Sequence, residues 1–297
     1  MTSFNYERNY SGLASISMLT VGADPEVFVI NPETGAFVSA IDKLGGSKIH
    51  PRPLDRGICV QEDNVLCEYN IPACSTKDSF VAAIEDGLSQ CRNLVLAQGL
   101  DLFITAQAIL PEEEMQEERA YIFGCEPDFD AWNDGEPNRK PNLEEIARER
   151  SKDYFRFRTA GGHVHLGFRE AQKQDRATIS TIKLVKAMDM ILGCWSVLMD
   201  DEQERRLLYG KAGCYRPKPY GLEYRTLSNF WLKDPELIEQ VYHRTRMAYI
   251  LGVHYMNDLA RDGRLCDYTK SAINTGNRDK AVYVLTQVGG MLNETLI

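Results

Sequence analysis

Long apolar runs are missing from this chain of 297 residues. None reaches the roughly 18–20 positions that a bilayer-spanning helix needs, which excludes a helical membrane protein. Excess positive charge is missing as well. Lys and Arg number 34 against 43 Asp and Glu, for a net charge of −9. That balance argues against general nucleic-acid binding, because phosphate contacts need clustered cations; a local basic pocket for a nucleotide stays compatible with it. Paired cysteine motifs are also absent. The eight cysteines are scattered with no Cys-x-x-Cys, and they read as buried, reduced thiols rather than a disulfide set or a zinc site. Residues 1–8 lack the charged-then-apolar order of a secretion signal, so the expected compartment is the cytoplasm. No repeat and no low-complexity linker marks a boundary. What is there, 43% hydrophobic and 26% charged residues, is the composition of an ordinary globular protein. One mixed α/β domain over residues 1–297 is the economical expectation.

Patterning predicts strands over residues 21–30 and 36–40, joined by the turn Asn31–Gly35, and two more over 57–62 and 65–71 with a hairpin turn at Asp63 and Asn64. A helix is expected over 77–98, capped by Ser75 or Thr76 and stopped by Gly99. Residues 102–110 read as a strand, 112–118 as an acidic surface segment and 124–142 as a Pro- and Asn-rich loop. A strand bent near Gly161 and Gly162 follows over 155–168. The clearest helix spans 176–199, where Ile179, Ile182, Val185, Met188, Ile191, Leu192 and Trp195 recur at helical spacing. After a Gly- and Arg-rich loop come a short strand over 222–227 and helices over 234–259 and 280–295.

Chemistry-bearing residues recur two apart on four of these strands: Asp24 and Glu26; Glu62, Asn64 and Glu68; His163 and His165; Glu223 and Arg225. Side chains two apart in a strand share a face, and the residues between are mostly apolar (Val27, Val164, Leu166, Leu222, Tyr224), so each strand offers one polar and one core face. Several carboxylates gathered on one face repel strongly at low dielectric. Hard divalent cations held by carboxylate oxygens, with an occasional imidazole, relieve that repulsion. Taken singly, Glu68 or Glu223 reads as a solvated strand face; His163 with His165 is a stronger signal, because Gly161 and Gly162 just before it let backbone or ligand approach closely, with a structural pair as the alternative. The order of the pieces is the specific signal.

That order resembles the glutamine synthetase and glutamate–cysteine ligase superfamily, and within it the phage-encoded carboxylate–amine ligases of type 2. The resemblance rests on Gly22 to Glu26, on Glu62 to Asn64 with Glu68, on Gly161 to Gly167 and on Tyr220 to Arg225, with Gly124 to Trp132 as further support. It covers about residues 20–232. It implies an α+β, glutamine-synthetase-like catalytic domain: a mostly antiparallel curved sheet, helices packed on one face, and a polar metal- and ATP-binding face. It implies transfer of the ATP γ-phosphoryl group to a carboxylate, then displacement of phosphate by an amine, with Mg²⁺ or Mn²⁺ as cofactor. By motif match Glu26 and Glu68 fall to one metal with Glu62 as a third ligand, and Asp24, His163 and Glu223 to the other. Glu68, Arg225 and Asp63 are the expected catalytic residues. Arg225, Arg216, Lys211 and His165 are expected on the nucleotide. Asp63 and Asn64 would contact the amine or complete a metal shell. Two departures stand out: the leading carboxylate is Asp24 where glutamine synthetases commonly carry Glu, and the loop that closes over an ammonium site is not recognisable. Substrates are expected to be small-molecule or peptide carboxylates and amines, in a chain that forms homo-oligomers.

Two rivals use the same residues. A metal hydrolase or cupin would employ His163 and His165, with Glu170 at a cupin-like distance, but the later histidine and its Gly/Pro setting are lacking. A non-catalytic relative would keep the sheet and lose turnover. The run Arg205 to Lys218 reads equally as a phosphate-binding segment or as a solvated basic loop.

Overall fold

The computed structural model describes residues 19–121, 128–138, 152–168, 180–201 and 204–297. Most of the expected lead-in, both ends of the Pro- and Asn-rich loop, Glu170 and the start of the expected helix at Arg176 lie outside them.

The strands are β1 (Thr20–Ile30), β2 (Phe37–Val38), β3 (Arg52–Pro53), β4 (Cys59–Asp63), β5 (Leu66–Asn70), β6 (Asp101–Phe103), β7 (Gln107–Ile109), β8 (Phe129–Asp130), β9 (Glu136–Pro137), β10 (Phe157–Thr159), β11 (Gly162–Gly167), β12 (Cys214–Lys218) and β13 (Gly221–Tyr224). The main sheet runs β3–β4–β5–β1–β11–β13–β12–β8–β9, with β2 and β6 added to β1. Its pairings are antiparallel. β7 and β10 form a separate ribbon.

β1 organises everything around it. Val21, Ala23, Val27 and Val29 alternate into the main core, while Asp24 and Glu26 take the other face. Farther along, Phe28 joins a second small core with Val65, Leu66, Ala108 and Leu110. Helix α1 (Lys77–Leu96) starts at a reciprocal Thr76–Ser79 capping box and packs on β1 and β5. Helix α2 (Thr181–Met188) passes through one wide turn, Asp189–Gly193, into α3 (Cys194–Met199). The sequence reads this as one unbroken helix, because a single inserted residue hardly disturbs the apolar spacing. Then come α4 (Arg205–Leu208), α5 (Pro235–His254), α6 (Met256–Leu259), α7 (Gly263–Thr275) and α8 (Arg278–Leu292). Helix α7 escapes sequence reading because it buries only Leu265, Thr269, Ala272 and Ile273.

Two expected strands are broken, and for one reason. Residues 102–110 change sheets between β6, which pairs with β1, and β7, which pairs with β10. Residues 157–167 make the matching change between β10 and β11. Gly161 and Gly162 lie at that corner, where a side chain on Gly161 would collide with the His163 ring. One on Gly162 would meet the Ser228 carbonyl and the Trp231 indole.

Candidate active site

The antiparallel ladder lines the polar residues up in rows across the sheet. Gly22 pairs with His165, His165 with Glu223, and Glu223 with Arg216. Asp24 pairs with His163, Glu26 with Glu68, and Glu68 with Gln61. All of the expected carboxylates except Glu62 therefore meet on one face, where Asp63 is half-buried, Asp24, Glu26 and Glu68 are 6–7% exposed and Glu223 not at all.

At one end β1, β4 and β5 bring Glu26, Asp63 and Glu68 together, with one oxygen of each within 4.8 Å of the others. The groups that donate to this triad are neutral. Gly161 N–H donates to Glu26 at 2.6 Å and the Gln61 amide to Glu68 at 2.7 Å. Burial raises the Glu26 carboxyl, with Asp63 adding to the rise against the His163 ring. Glu68 is pushed well above the usual range by burial and then by Asp24, Asp63 and Glu26. Such a group of carboxylates either keeps protons or holds a hard cation, and its all-oxygen donor set suits Mg²⁺ or Mn²⁺.

Glu62 does not join them. The hairpin turns at Asn64 and Val65, with Asp63 opposite Leu66 and Asn64 at φ +58°. That is one residue later than the sequence reading, which moves the register by two and leaves the faces as they are; across a two-residue turn each pair joins an odd to an even position, so Glu68 shares its face with Gln61 and Asp63. Asp63 therefore points with Gln61 towards Glu68, while Glu62 turns away. Its oxygens accept the backbone N–H groups of Asp42, Leu44 and Gly45 at 3.0–3.1 Å, so it holds a loop and lies outside the group that Glu26, Asp63 and Glu68 form. Asn64 is likewise structural: it donates to the carbonyls of Arg119 and Ala120 and accepts from Arg158.

At the centre, Asp24, His165 and Glu223 form a second group whose donor atoms lie within 4.8 Å. The His165 Nε2 is 3.1 Å from Asp24, and its Nδ1 lies 3.0 Å from the Tyr220 hydroxyl. His163 stands beside them, with Nδ1 at 3.4 Å from Asp24 and 3.8 Å from Glu223. Burial opposes the charge on Asp24, yet His165 and His163 hold its carboxyl well below the usual range. For His165 burial is outweighed by Asp24, and its imidazolium is favoured.

Glu223 is surrounded by cations. Lys218 approaches at 2.7 Å, Arg216 at 3.2 Å, and Arg225 donates to it directly. Burial and Asp24 work against its ionisation, but Arg225, His163 and Arg216 prevail and hold the carboxyl at about 2. Lys218, not Lys211, reaches this cluster. Arg216 and Lys218 alternate on one face of β12, a strand that the sequence reading treats as a loop. Lys211 is exposed, and its carbonyl accepts from Thr226.

Nor is the run from Arg205 a solvated loop, since Arg205 is 1% and Arg206 5% exposed. Arg205 donates to the carbonyls of Thr226 and Leu227 at 2.9 and 3.0 Å, fixing the segment just after Arg225. The Tyr209 ring lies 5.0 Å from the Arg225 guanidinium and 5.2 Å from that of Arg205. Asp128 faces the Arg225 Nε at 3.3 Å. Neither Tyr209 nor Asp128 is found by the sequence reading, although Asp128 lies in the stretch Gly124 to Trp132 that carries part of the resemblance.

From the core side Asp189, in the wide helical turn, anchors the same strands. Its carboxylate accepts from the Trp132 indole at 2.5 Å, Gly213 N–H at 2.6 Å, the Tyr224 hydroxyl at 2.6 Å and Thr226 at 3.3 Å. Burial nonetheless raises its carboxyl to about 7. Tyr224 is thereby held between Glu223 and Arg225, which project from the opposite face.

A sheet face carrying two acidic clusters and a set of oriented arginines fits a ligase. The profile of the family described as Phage phiEco32-like COOH.NH2 ligase-type 2 matches residues 140–295, more than half of the chain. The chain belongs to that family of carboxylate–amine ligases. No curated protein matches it. Among solved structures, a GmaS/ADP complex aligns over 95% of this chain and 66% of its own, with a TM-score of 0.47 and 12% identity. A bifunctional glutathione synthetase from Pasteurella multocida aligns over 94% of this chain and 48% of its own, at 0.42 and 11%. The chain thus spans 66% and 48% of the lengths of these two proteins. No helix among the described residues is long and apolar enough to cross a membrane.

Proposed function

We propose that this chain is an ATP-dependent ligase that joins a carboxylate to an amine through an acyl phosphate, on a glutamine-synthetase-like sheet. The observation that carries the reading is the Glu26–Asp63–Glu68 triad, with Glu26 and Glu68 buried and accepting from the neutral Gly161 N–H and Gln61 amide, in a member of a carboxylate–amine ligase family. Glu26, Asp63 and Glu68 would hold one divalent cation, and Asp24, Glu223 and the histidines His163 and His165 a second. Mg²⁺ or Mn²⁺ bound there supplies neutralisation of the triphosphate and of the charge that develops on the transferred group.

The protein's own part is orientation. Arg225, with Arg216 and Lys218, offers donors to phosphoryl oxygens, and a guanidinium can bridge two of them in one plane. His165, held by Tyr220, would face the nucleotide, and Lys211 is exposed at the edge of the same segment. The substrate carboxylate attacks the γ-phosphorus and ADP leaves; the amine nitrogen then attacks the acyl carbon, phosphate leaves and the nitrogen gives up a proton. In this reading the chain is a single catalytic domain of phage type, acting as a homo-oligomer in the host cytoplasm on small-molecule or peptide substrates.

The test is a screen for substrate-dependent ADP release across amino acids, peptides and amines, with products identified by mass spectrometry. It is paired with calorimetric titration of ATP in Mg²⁺ and in EDTA. Amide product and Mg²⁺-dependent ATP binding are expected. Equal ATP affinity in EDTA would overturn the metal assignment, and ADP release without any amide product would overturn the ligase reading.

A further inference from the structure

The geometry points to Asp128 as a positioning residue for Arg225, one that decides whether this arginine can grip the terminal phosphoryl group of ATP. The inference rests on the proposed ATP-dependent reading and extends it to a residue to which the resemblance assigns no role. Arg225 is 3% exposed and is held from three directions. Glu223, two residues back along the chain, accepts from Nη1. Asp128 faces Nε at 3.3 Å from across the sheet, and the Tyr209 ring lies 5.0 Å from the guanidinium carbon.

Asp128 is itself fixed. Its Oδ2 accepts from the Asn138 side chain at 2.9 Å, and its carbonyl accepts the Asn138 N–H at 2.8 Å. Tyr215 pairs with Phe129, which sets Asp128 at the level of Arg216 in the row that continues to Glu223 and His165. An arginine held between the Asp128 and Glu223 carboxylates and the Tyr209 ring has its guanidinium plane restricted, so it meets a phosphoryl group with less further ordering cost. Supporting carboxylates that orient a functional group in this way commonly matter as much as the group itself.

The competing role is purely electrostatic. A carboxylate near a triphosphate repels it, and repels ATP more than ADP. The two roles therefore predict opposite signs. MgATP and MgADP are titrated by calorimetry into the full chain, as wild type, Asp128→Ala and Asp128→Asn. If Asp128 aims Arg225 at the γ-phosphoryl group, the wild-type preference for MgATP over MgADP falls about tenfold in Asp128→Ala, the lower end of what losing a supporting residue costs. It falls less in Asp128→Asn, which loses the charge but keeps a polar oxygen beside Nε. Should Asp128→Ala fail to fold, Asp128→Asn carries the test by the same sign.

A preference that is unchanged or raised overturns the inference, as does equal weakening of both nucleotides, the mark of general loosening. A wild type that binds MgATP with no preference over MgADP overturns it too. A wild type that does not bind MgATP at all overturns the ATP-dependent reading together with this one, whereas a preference insensitive to Asp128 overturns this one alone.

Discussion

Glu26 on β1 stands directly opposite Glu68 on β5, carboxylate facing carboxylate across an antiparallel pair. Like charges in that relation destabilise a sheet, and here both are buried, with Asp63 beside them. Metal-free protein should therefore gain stability when one is neutralised. Glu68→Gln is expected to melt at the same or a higher temperature than wild type in EDTA. Mg²⁺ should raise the melting temperature of wild type and leave the variant nearly unmoved. A variant that melts lower in EDTA yet responds fully to Mg²⁺ would show that Glu68 supports packing and binds no ion.

The same groups fix the sign of the pH dependence. The folded Glu68 and Glu26 carboxyls lie above their usual value, so the folded chain binds more protons than the unfolded one. Their contribution is largest below about pH 4.3, the ordinary glutamate value, and is lost as pH rises through the folded values. Glu223 behaves oppositely. Held at about 2 in the fold, it stabilises above the ordinary value, and that contribution disappears as pH falls towards about 2. Thermal unfolding in EDTA across pH should show Glu68→Gln flattening the upper limb and Glu223→Gln the acid limb. Exchange of these effects, or no effect of either, would refute the assignment of partners.

Much of this site was legible because a strand has period two. Asp24 with Glu26, His163 with His165, and Glu223 with Arg225 needed only alternation against apolar neighbours, and the ladder joins them as that alternation implies. Glu62 and Asp63 show where periodicity runs out. Period two carried straight through the hairpin puts the wrong carboxylate on the polar face, because a two-residue turn pairs odd positions with even ones, Gln61 with Glu68 and Asp63 with Leu66. Lys218 was within reach, two positions after Arg216, had the segment been read as a strand. Arg205, Asp128 and Tyr209 were not legible, because contacts such as the one between Asp128 and Arg225, 97 positions apart in the chain, leave no local pattern.

The two neighbours at the turn make a paired test. Glu62→Gln removes a charged acceptor from three backbone N–H groups and is expected to lower stability by about 1–3 kcal/mol. Its Mg²⁺ affinity should stay within a few-fold of wild type. Asp63→Asn should do the reverse, sparing the melting temperature and weakening Mg²⁺ binding severely. Isothermal titration with Mg²⁺ and thermal melts of both variants read the two effects separately, and loss of Mg²⁺ binding in Glu62→Gln would restore Glu62 as a ligand.

Asp189 offers a stability prediction on the core side. Asp189→Ala leaves the Trp132 indole N–H, Gly213 N–H and the Tyr224 hydroxyl without their acceptor in a fully buried place. Each unmet donor costs about 1–3 kcal/mol, so a fall of roughly 3 kcal/mol or more is expected. Asp189→Asn keeps one carboxamide oxygen and should fall by less. Denaturant unfolding orders the three proteins, and an alanine variant as stable as wild type would remove Asp189 as the anchor of β13.

Arg225→Lys tests the phosphoryl-contact reading with the charge retained. Arg225 divides its nitrogens between two carboxylates, Nε towards Asp128 and Nη1 towards Glu223. A lysine has one nitrogen on a flexible stem, so it can meet one of these partners and cannot also present a fixed donor to a phosphoryl oxygen. A bland surface ion pair would be worth under about 1 kcal/mol and dispensable, but a side chain 3% exposed is no surface pair. Loss of one oriented contact to developing charge costs on the order of 10²–10³ in rate. Steady-state ADP release at saturating MgATP, with the carboxylate and amine identified by the screen, should fall by that factor in Arg225→Lys. The melting temperature should fall too, because one of the two carboxylates loses its partner in a buried place. The rate separates the readings: a variant that is less stable but turns over within a few-fold of wild type makes Arg225 a structural counter-ion. The phosphoryl contact would then belong to Arg216 and Lys218, the remaining cations on Glu223.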